Sequence, residues 1–415
     1  MVRVRPFAAL RPPKELVQEV SARPYDVMNT QEAAAEAGEK SLLHITRPEI
    51  DFTPFADEAE DRAYRRAADN FCTWQERGYL VREEKPCYYV YAQIMGEHIQ
   101  YGMVLCAHTD DYFSGAIKRH ELTRRDKEDG RMKHILIQSA NIEPVFFSYP
   151  DNPVISDLVK RVTAAKPEYD FVSPGDGFGH KMWVVSDPGD IKTITDTFAT
   201  IPAMYIADGH HRTAAAARVG REKAQKNPNH NGDEEYNFFM AVCFPDSQLK
   251  VMDYNRVVKD LNGMTADQLL KALEADFEVR EESGMYRPSR LHEFSMFLEG
   301  KWYSLAAKPG RWSEEDPIEN LDVTVLSRLV LDKLLGIKDL RTDKRIDFVG
   351  GLRGLGELEK RVNSGEMAVA FALYPVTMGQ IIAIADKGEI MPPKTTWFEP
   401  KLRSGLTIHT FFEEE

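Results

Sequence analysis

Two periods of apolar residues run along the chain, and they place most of its elements. Glu58–Gly78 repeats apolar positions at Tyr64, Ala67, Ala68, Phe71 and Trp74, the three-and-four spacing of one helical face. Thr30–Gly38 predicts a shorter helix, with Asn29 or Thr30 as its cap. Tyr88–Ile94 and Ile99–Ala107 read as strands joined by the hairpin loop Met95-Gly96-Glu97-His98. Val2–Phe7, Ser41–Thr46, Pro144–Tyr149 and Met182–Val185 are further strand segments. The sharpest unit follows: a strand over Pro202–Ala207, a turn at Asp208-Gly209-His210-His211, and an alanine-rich helix over Arg212–Gln225. Asn237–Pro245 and Gln248–Asp253 predict strands, as do Arg345–Val349 and Met367–Leu373. Thr265–Ala275, capped by Thr265, the apolar Leu321–Leu335, and Thr377–Asp386 with Gly388 behind it predict helices.

Interleaved strands and helices predict a mixed α/β (α+β) chain. At 415 residues, two to four domains are expected. Residues 1–110 are expected as an N-terminal mixed region and 111–260 as a core built around the 202–225 unit. Residues 261–415 are expected as a C-terminal α+β region with a proline- and aromatic-rich tail. The polar stretch 222–235 predicts a solvated helix end and loop.

Composition is that of an ordinary globular protein. The net charge of −13 argues against a nucleic-acid partner but leaves room for a local basic pocket. Cys72, Cys87, Cys106 and Cys243 form no CxxC pair, which excludes a zinc ribbon and fits a reducing compartment. With no run of eighteen apolar residues and no secretory pattern at Met1–Phe7, the expectation is a cytoplasmic protein with no membrane partner. Nothing in the pattern indicates an oligomeric state.

The candidate chemistry centres on Ile206-Ala207-Asp208-Gly209-His210-His211-Arg212. A helix start presents free N–H groups and a positive dipole end, which suit an anion. Gly209 permits a tight turn. Arg212 opposes the dipole unless an anion sits there. The plainer alternative is a helix cap at Asp208 with locally packed histidines. Adjacent helical residues diverge by about 100°, so His210 and His211 do not suit one zinc ion. Asp208 could instead supply one oxygen to Mg²⁺.

His120-Glu121-Leu122-Thr123 precedes a run of both charges, Arg124 to Arg131. Glu121 could act as a general base, and the run could equally be a solvated helix face. Weaker candidates are the Arg23-Pro24-Tyr25-Asp26 turn, the Gly175–His180 segment, and Pro392–Gly405 with Lys394, Lys401 and Arg403. No GxxxxGK[ST] or GxSxG occurs.

Arg5–Pro12, Arg23–Val27, Ile117–Thr123, Ala207–Arg212 and Met391–Leu406 together resemble the motif set of a bacterial family of unknown function. The resemblance spans nearly the whole chain, departing at Arg23, where a proline is commoner. The DGHHR turn alone is similar to that of free serine kinases, in the ParB and sulfiredoxin superfamily. That resemblance implies a ParB/sulfiredoxin-like core that binds nucleotide phosphates, and a place in serine metabolism. It implies Glu121, Asp208 and His211 as catalytic groups, with Asp208 also on Mg²⁺. It implies Gly209, His210, Arg212, His120 and Thr123 around phosphate or nucleotide. The implied reaction is phosphoryl transfer between ATP, ADP or pyrophosphate and free serine. A phosphoserine phosphatase and a non-catalytic nucleotide-binding switch are the alternatives. Sulfiredoxin chemistry needs a cysteine where this chain has His210, and the DNA-partitioning branch has Glu-Arg where it has His210-His211, so both are disfavoured.

Overall fold

The computed structural model describes residues 1–411. The chain forms two compact units, Met1–Leu249 with the segment from Pro400 onward, and Lys250–Glu399. These divisions differ from the expected ones at 110 and 260. Residue 110 falls within the first unit, in a short helix between strands of one sheet, and the tail returns to the first unit.

Among the described residues of the first unit, nine strands form a mixed sheet. They are β1 (Val4–Arg5), β2 (Tyr88–Met95), β3 (His98–His108), β4 (Ile117–Lys118), β5 (Val145–Tyr149), β6 (Tyr169–Val172), β7 (Gly179–Val185), β8 (Met204–Asp208) and β9 (Phe238–Pro245). The order is β4-β8-β5-β9-β3-β2-β7-β6, with β1 also on β3. β4 runs parallel to β8, and β9 parallel to β5; the other pairings are antiparallel. The predicted hairpin is present, with Met95 opposite His98. Val90, Leu105, Phe147, Ile206 and Ala241 lie in one buried cluster.

The helices of this unit include α1 (Thr30–Glu36), α2 (Leu43–Thr46), α3 (Asp61–Glu76), α4 (Arg125–Gln138), α5 (Pro153–Thr163), α6 (Pro188–Phe198) and α7 (His210–Lys226), besides other short helices. Asn29 caps α1: its side chain accepts from the Glu32 N–H, and the Glu32 carboxylate accepts from the Asn29 N–H, both at 2.9 Å. α3 buries Ala63, Tyr64, Ala67, Phe71 and Trp74, the face that its periodicity predicts.

Ser41–Thr46 is a correction. It forms the single-turn α2, not a strand. Leu42, Leu43 and Ile45 are all buried, so a short apolar run faces the core either way. The Ser41 hydroxyl accepts from the Leu43 N–H at 3.3 Å, and Pro48 closes the segment. The segment from Ile117 through the charged run Arg124 to Arg131 forms β4 and the first half of α4.

The second unit carries a six-stranded antiparallel sheet: β10 (Tyr254–Val258), β11 (Phe277–Glu282), β12 (Glu293–Leu298), β13 (Lys301–Ala307), β14 (Ile346–Gly350) and β15 (Val369–Leu373). Their order is β11-β13-β12-β15-β10-β14. Gln248–Asp253 shrinks to a two-residue strand, Lys250–Val251, paired with Phe398–Glu399. Leu321–Leu335 begins as an α-helix over Asp322–Leu326 and widens to π-type turns over Ser327–Asp332.

Candidate functional site

The site is built where two parallel strands end together. Met204 pairs with Ile117 and Tyr205 with Lys118, so the residues after β4 run beside the end of β8. This register sets His120 and Glu121 next to the Asp208–Arg212 turn. Gly209 takes a left-handed φ of 85°, and α7 starts at His210. The helix is seated by small residues, with Ala214, Ala215, Ala216 and Ala217 all buried.

His120 is fully buried, and His210 is 5 % exposed. Their rings meet edge to face, with centroids 4.6 Å apart. Among the described residues, neither nitrogen of His120 has a hydrogen-bond partner, nor does Nε2 of His210. Burial, with His210 close by, pushes the His120 pKa down to about 3. Burial does the same to His210, which also falls to about 3. Both rings are therefore neutral near pH 7. Glu121 Oε2 lies 3.6 Å from His210 Nδ1, close enough to turn toward it.

Arg212 is buried and fully engaged on one side. Its Nη1 donates to the Pro144 carbonyl at 2.7 Å, and its Nη2 to Asp208 Oδ2 at 3.2 Å. Asp26 Oδ2 lies 3.5 Å from the same Nη2. Burial alone would lower the Arg212 pKa, but Asp26, Asp208 and Glu143 outweigh it and raise it. These carboxylates resolve the conflict of a cation in the first helical turn. Arg212 Nε is left without a partner.

Burial pushes the Asp208 carboxyl up, but Lys401, Arg212 and His210 hold it below the usual range. Lys401 Nζ stands 3.4 Å from Asp208 Oδ1, so the tail does reach the site. Arg403 does not: it is buried, and donates to the Ser21 carbonyl at 2.8 Å. Lys394 belongs to the second unit, 5.8 Å from the Tyr254 ring centre.

His211 and Thr123 each bond to the segment around the start of α4. His211 Nε2 accepts from the Arg124 N–H at 3.0 Å, at the start of α4. Burial lowers the His211 pKa, which keeps that acceptor available. The Thr123 hydroxyl donates to Glu128, whose other oxygen takes Arg218 Nη1 at 2.6 Å. Arg124 pairs with Asp126, Arg125 with Asp129 and Lys127 with Glu58. Most of this run is thus the solvated, ion-paired face that charge patterning also allowed.

Three residues outside the main candidate turn stand at the site: Tyr25 and Arg131, from weaker candidate segments, and Glu143, from none. Tyr25 sits under the Arg131 guanidinium at 3.8 Å, and burial pushes its phenol up to about 12. Glu143 accepts from the Tyr25 N–H and the Ser404 hydroxyl, each at 3.2 Å. Burial raises its pKa. A cavity of about 40 Å³ lies among Arg131, His134, Gln138, Glu143 and Arg212. The Arg23–Asp26 turn offered a sequence signal for Tyr25 and Asp26, and the charged run one for Arg131; Glu143 offered none. Gly175–His180 is structural, with His180 bonded to the Tyr91 hydroxyl at 2.7 Å.

Residues 4–324 match the family described as "Protein of unknown function (DUF1015)". The chain belongs to this family. No curated protein matches this DUF1015 chain. Among solved structures, a free serine kinase in complex with AMP is similar at 14% identity and a TM-score of 0.34, over 76% of this chain and 94% of that one. C-terminally truncated SbnI from Staphylococcus aureus is 11% identical with a TM-score of 0.38, over 74% and 86%. A conserved hypothetical protein from Pyrococcus furiosus is 15% identical with a TM-score of 0.32, over 75% and 97%.

Among the described residues, no three or more His, Cys, Asp or Glu side chains gather in a metal-holding group. Among them, too, no helix is long and apolar enough to cross a membrane. The donor set at the turn is the carboxylates of Asp208, Glu121 and Asp26 and several nitrogens. That chemistry accommodates a hard cation only as a ligand shared with an incoming phosphate.

Proposed function

We propose that this DUF1015 protein transfers a phosphoryl group between a phosphate donor and the hydroxyl of a small amino acid, with free serine as acceptor. The observation that carries the reading is the set of buried, unpartnered nitrogens at one strand–turn–helix junction, on His120, His210 and Arg212, beside the Glu121 carboxylate. Buried donors without partners are costly, and an anion is the natural acceptor for them. In this reading the β4–α7 region is the ParB/sulfiredoxin-like core, and the ligand lies over the DGHHR turn.

Glu121 takes the proton of the serine hydroxyl as its oxygen bonds to phosphorus and the donor's bridging oxygen leaves. Neutral His120 and His210 donate N–H groups to the equatorial oxygens, where charge accumulates. Arg212 adds fixed positive charge through Nε. His211 orients the turn by holding Arg124. Asp208 would hold Mg²⁺, which when bound neutralises phosphate charge.

Phosphorus NMR tests this. The protein with Mg²⁺ and serine is given ATP, ADP or pyrophosphate in turn, and O-phosphoserine alone in a separate tube. The expected result is a new phosphoserine signal with one donor. Free phosphate from O-phosphoserine alone would replace this reading with a phosphatase. Silence in every tube, with nucleotide bound, would replace it with a switch.

A further inference from the structure

A second cleft, of about 780 Å³, opens in the first unit away from the DGHHR turn. Its lining includes Arg3, Arg5, His108, Arg221 and Phe238. Arg221 lies eleven residues along α7 from His210, which places it roughly 16 Å down the helix. The volume falls within the range of about 300–1,000 Å³ usual for small-molecule sites.

The hydrogen bonding inside it is incomplete in a directed way. His108 is 7 % exposed. Its Nδ1 accepts from the Asp110 N–H at 3.1 Å, so that nitrogen carries the lone pair. Burial, and Arg3 after it, lower the His108 pKa, so the ring is neutral and its single proton sits on Nε2. Nε2 faces Arg3 Nη1 at 3.4 Å. Both groups are donors, and no acceptor stands between them. Arg3 cannot turn away, because its Nε and Nη2 hold Asp111 at 2.9 and 2.8 Å. Asp111 is itself buried. Arg5 lies 3.7 Å over the Phe238 ring, and its Nε has no partner. Arg221 stacks over Phe113 at 3.2 Å and, among the described residues, makes no ion pair, leaving its charge at the rim.

We propose that this cleft binds a small molecule through an oxyanion, a phosphate or a carboxylate, seated between His108 Nε2 and Arg3 Nη1. An oxyanion supplies the acceptor that both donors lack. Arg5 and Arg221 stabilise its charge from the two sides of the cleft. Asp110 lies 3.7 Å from Arg3 Nη2, and Glu235 holds Arg5 Nη2 at 2.5 Å, which leaves Arg5 Nε to face the ligand. The site is separate from the turn used in the proposed phosphoryl transfer and does not depend on that reading.

The test uses the full chain labelled with ¹⁵N-histidine, with the His108 signal identified by its loss in His108→Gln. Inorganic phosphate and succinate are titrated separately at millimolar concentrations. The expected result is a saturable shift of the His108 Nε2 signal with one of the two, which also names the source of the oxyanion. Arg221→Gln, an exposed substitution, is expected to weaken that binding several-fold. Arg3→Gln is expected to abolish it; if that variant fails to fold for loss of the Asp111 pair, Arg221→Gln decides. No shift, a shift that never saturates, or a shift unchanged by Arg221→Gln overturns the proposal.

Discussion

His120 keeps two ring nitrogens away from water without a partner, and one unsatisfied buried polar group costs about 1–3 kcal/mol. A residue retained for packing alone would be better as leucine. We therefore expect His120→Leu to leave stability near wild type or above it, while lowering phosphoryl transfer by roughly 10²–10³-fold, the usual loss for one transition-state donor. The pH dependence follows from the same burial. The folded-state pKa of about 3 lies below the ordinary 6.5. As pH falls, the unfolded chain takes up the proton first. Stability from the neutral ring is complete above pH 6.5 and is lost as pH drops toward about 3. Urea midpoints should fall more steeply between neutral pH and about pH 5 in wild type than in His120→Leu; parallel slopes would contradict this. Glu121→Gln should lower turnover roughly 10²–10⁴-fold and spare donor binding, read by phosphorus NMR and calorimetry. Much of this turn was legible in the sequence, because Ala207–Arg212 is local. The partners of Arg212 were not, since Asp26, Pro144 and Glu143 arrive from distant segments.

At the scale of elements, α3 was legible because one face is buried and the other is not, and the β2–β3 hairpin because two long, largely buried apolar runs flank the short turn at Gly96-Glu97. α5 and α6 had readable starts that periodicity alone passes over. Asn152 and Asp187 cap them just before Pro153 and Pro188, at first helical positions. Their buried faces are short, Ile155 and Leu158 in α5 and Ile194 and Phe198 in α6. In α7, Gly220 argues against its own helix: alanine there should gain about 1 kcal/mol of propensity. Yet an added Cβ would stand 2.6 Å from the Tyr236 carbonyl oxygen and 2.7 Å from Thr109 Cγ2. Overpacking of that kind costs about 1–3 kcal/mol and outweighs the gain. Gly220→Ala should thus lower the denaturation midpoint, whereas Gly38→Ala, with open space around it, should not. Equal midpoints for the two variants would show that α7 can shift away from Tyr236.

For the whole molecule, the second unit is an insertion whose two ends lie side by side. Lys250 is paired with Glu399 across an antiparallel ladder, so the chain leaves the first unit and returns to it within about 5 Å. Periodicity could not reveal this, because both strands are two residues long. The returning segment matters more than its length suggests. Leu402, Leu406, Ile408 and Phe411 are buried, and Lys401 reaches Asp208. Each such side chain contributes about 1.5–3 kcal/mol when buried. Together they rival the whole net stability of a domain, about 5–15 kcal/mol. Two deletions therefore separate cleanly. Joining Leu249 to Pro400 through a short glycine–serine turn should leave a first unit that unfolds cooperatively in urea. Ending the chain after Leu249 should not, although it removes only sixteen further residues. A cooperative transition in the shorter chain would mean that the nine-stranded sheet holds without its returning strap.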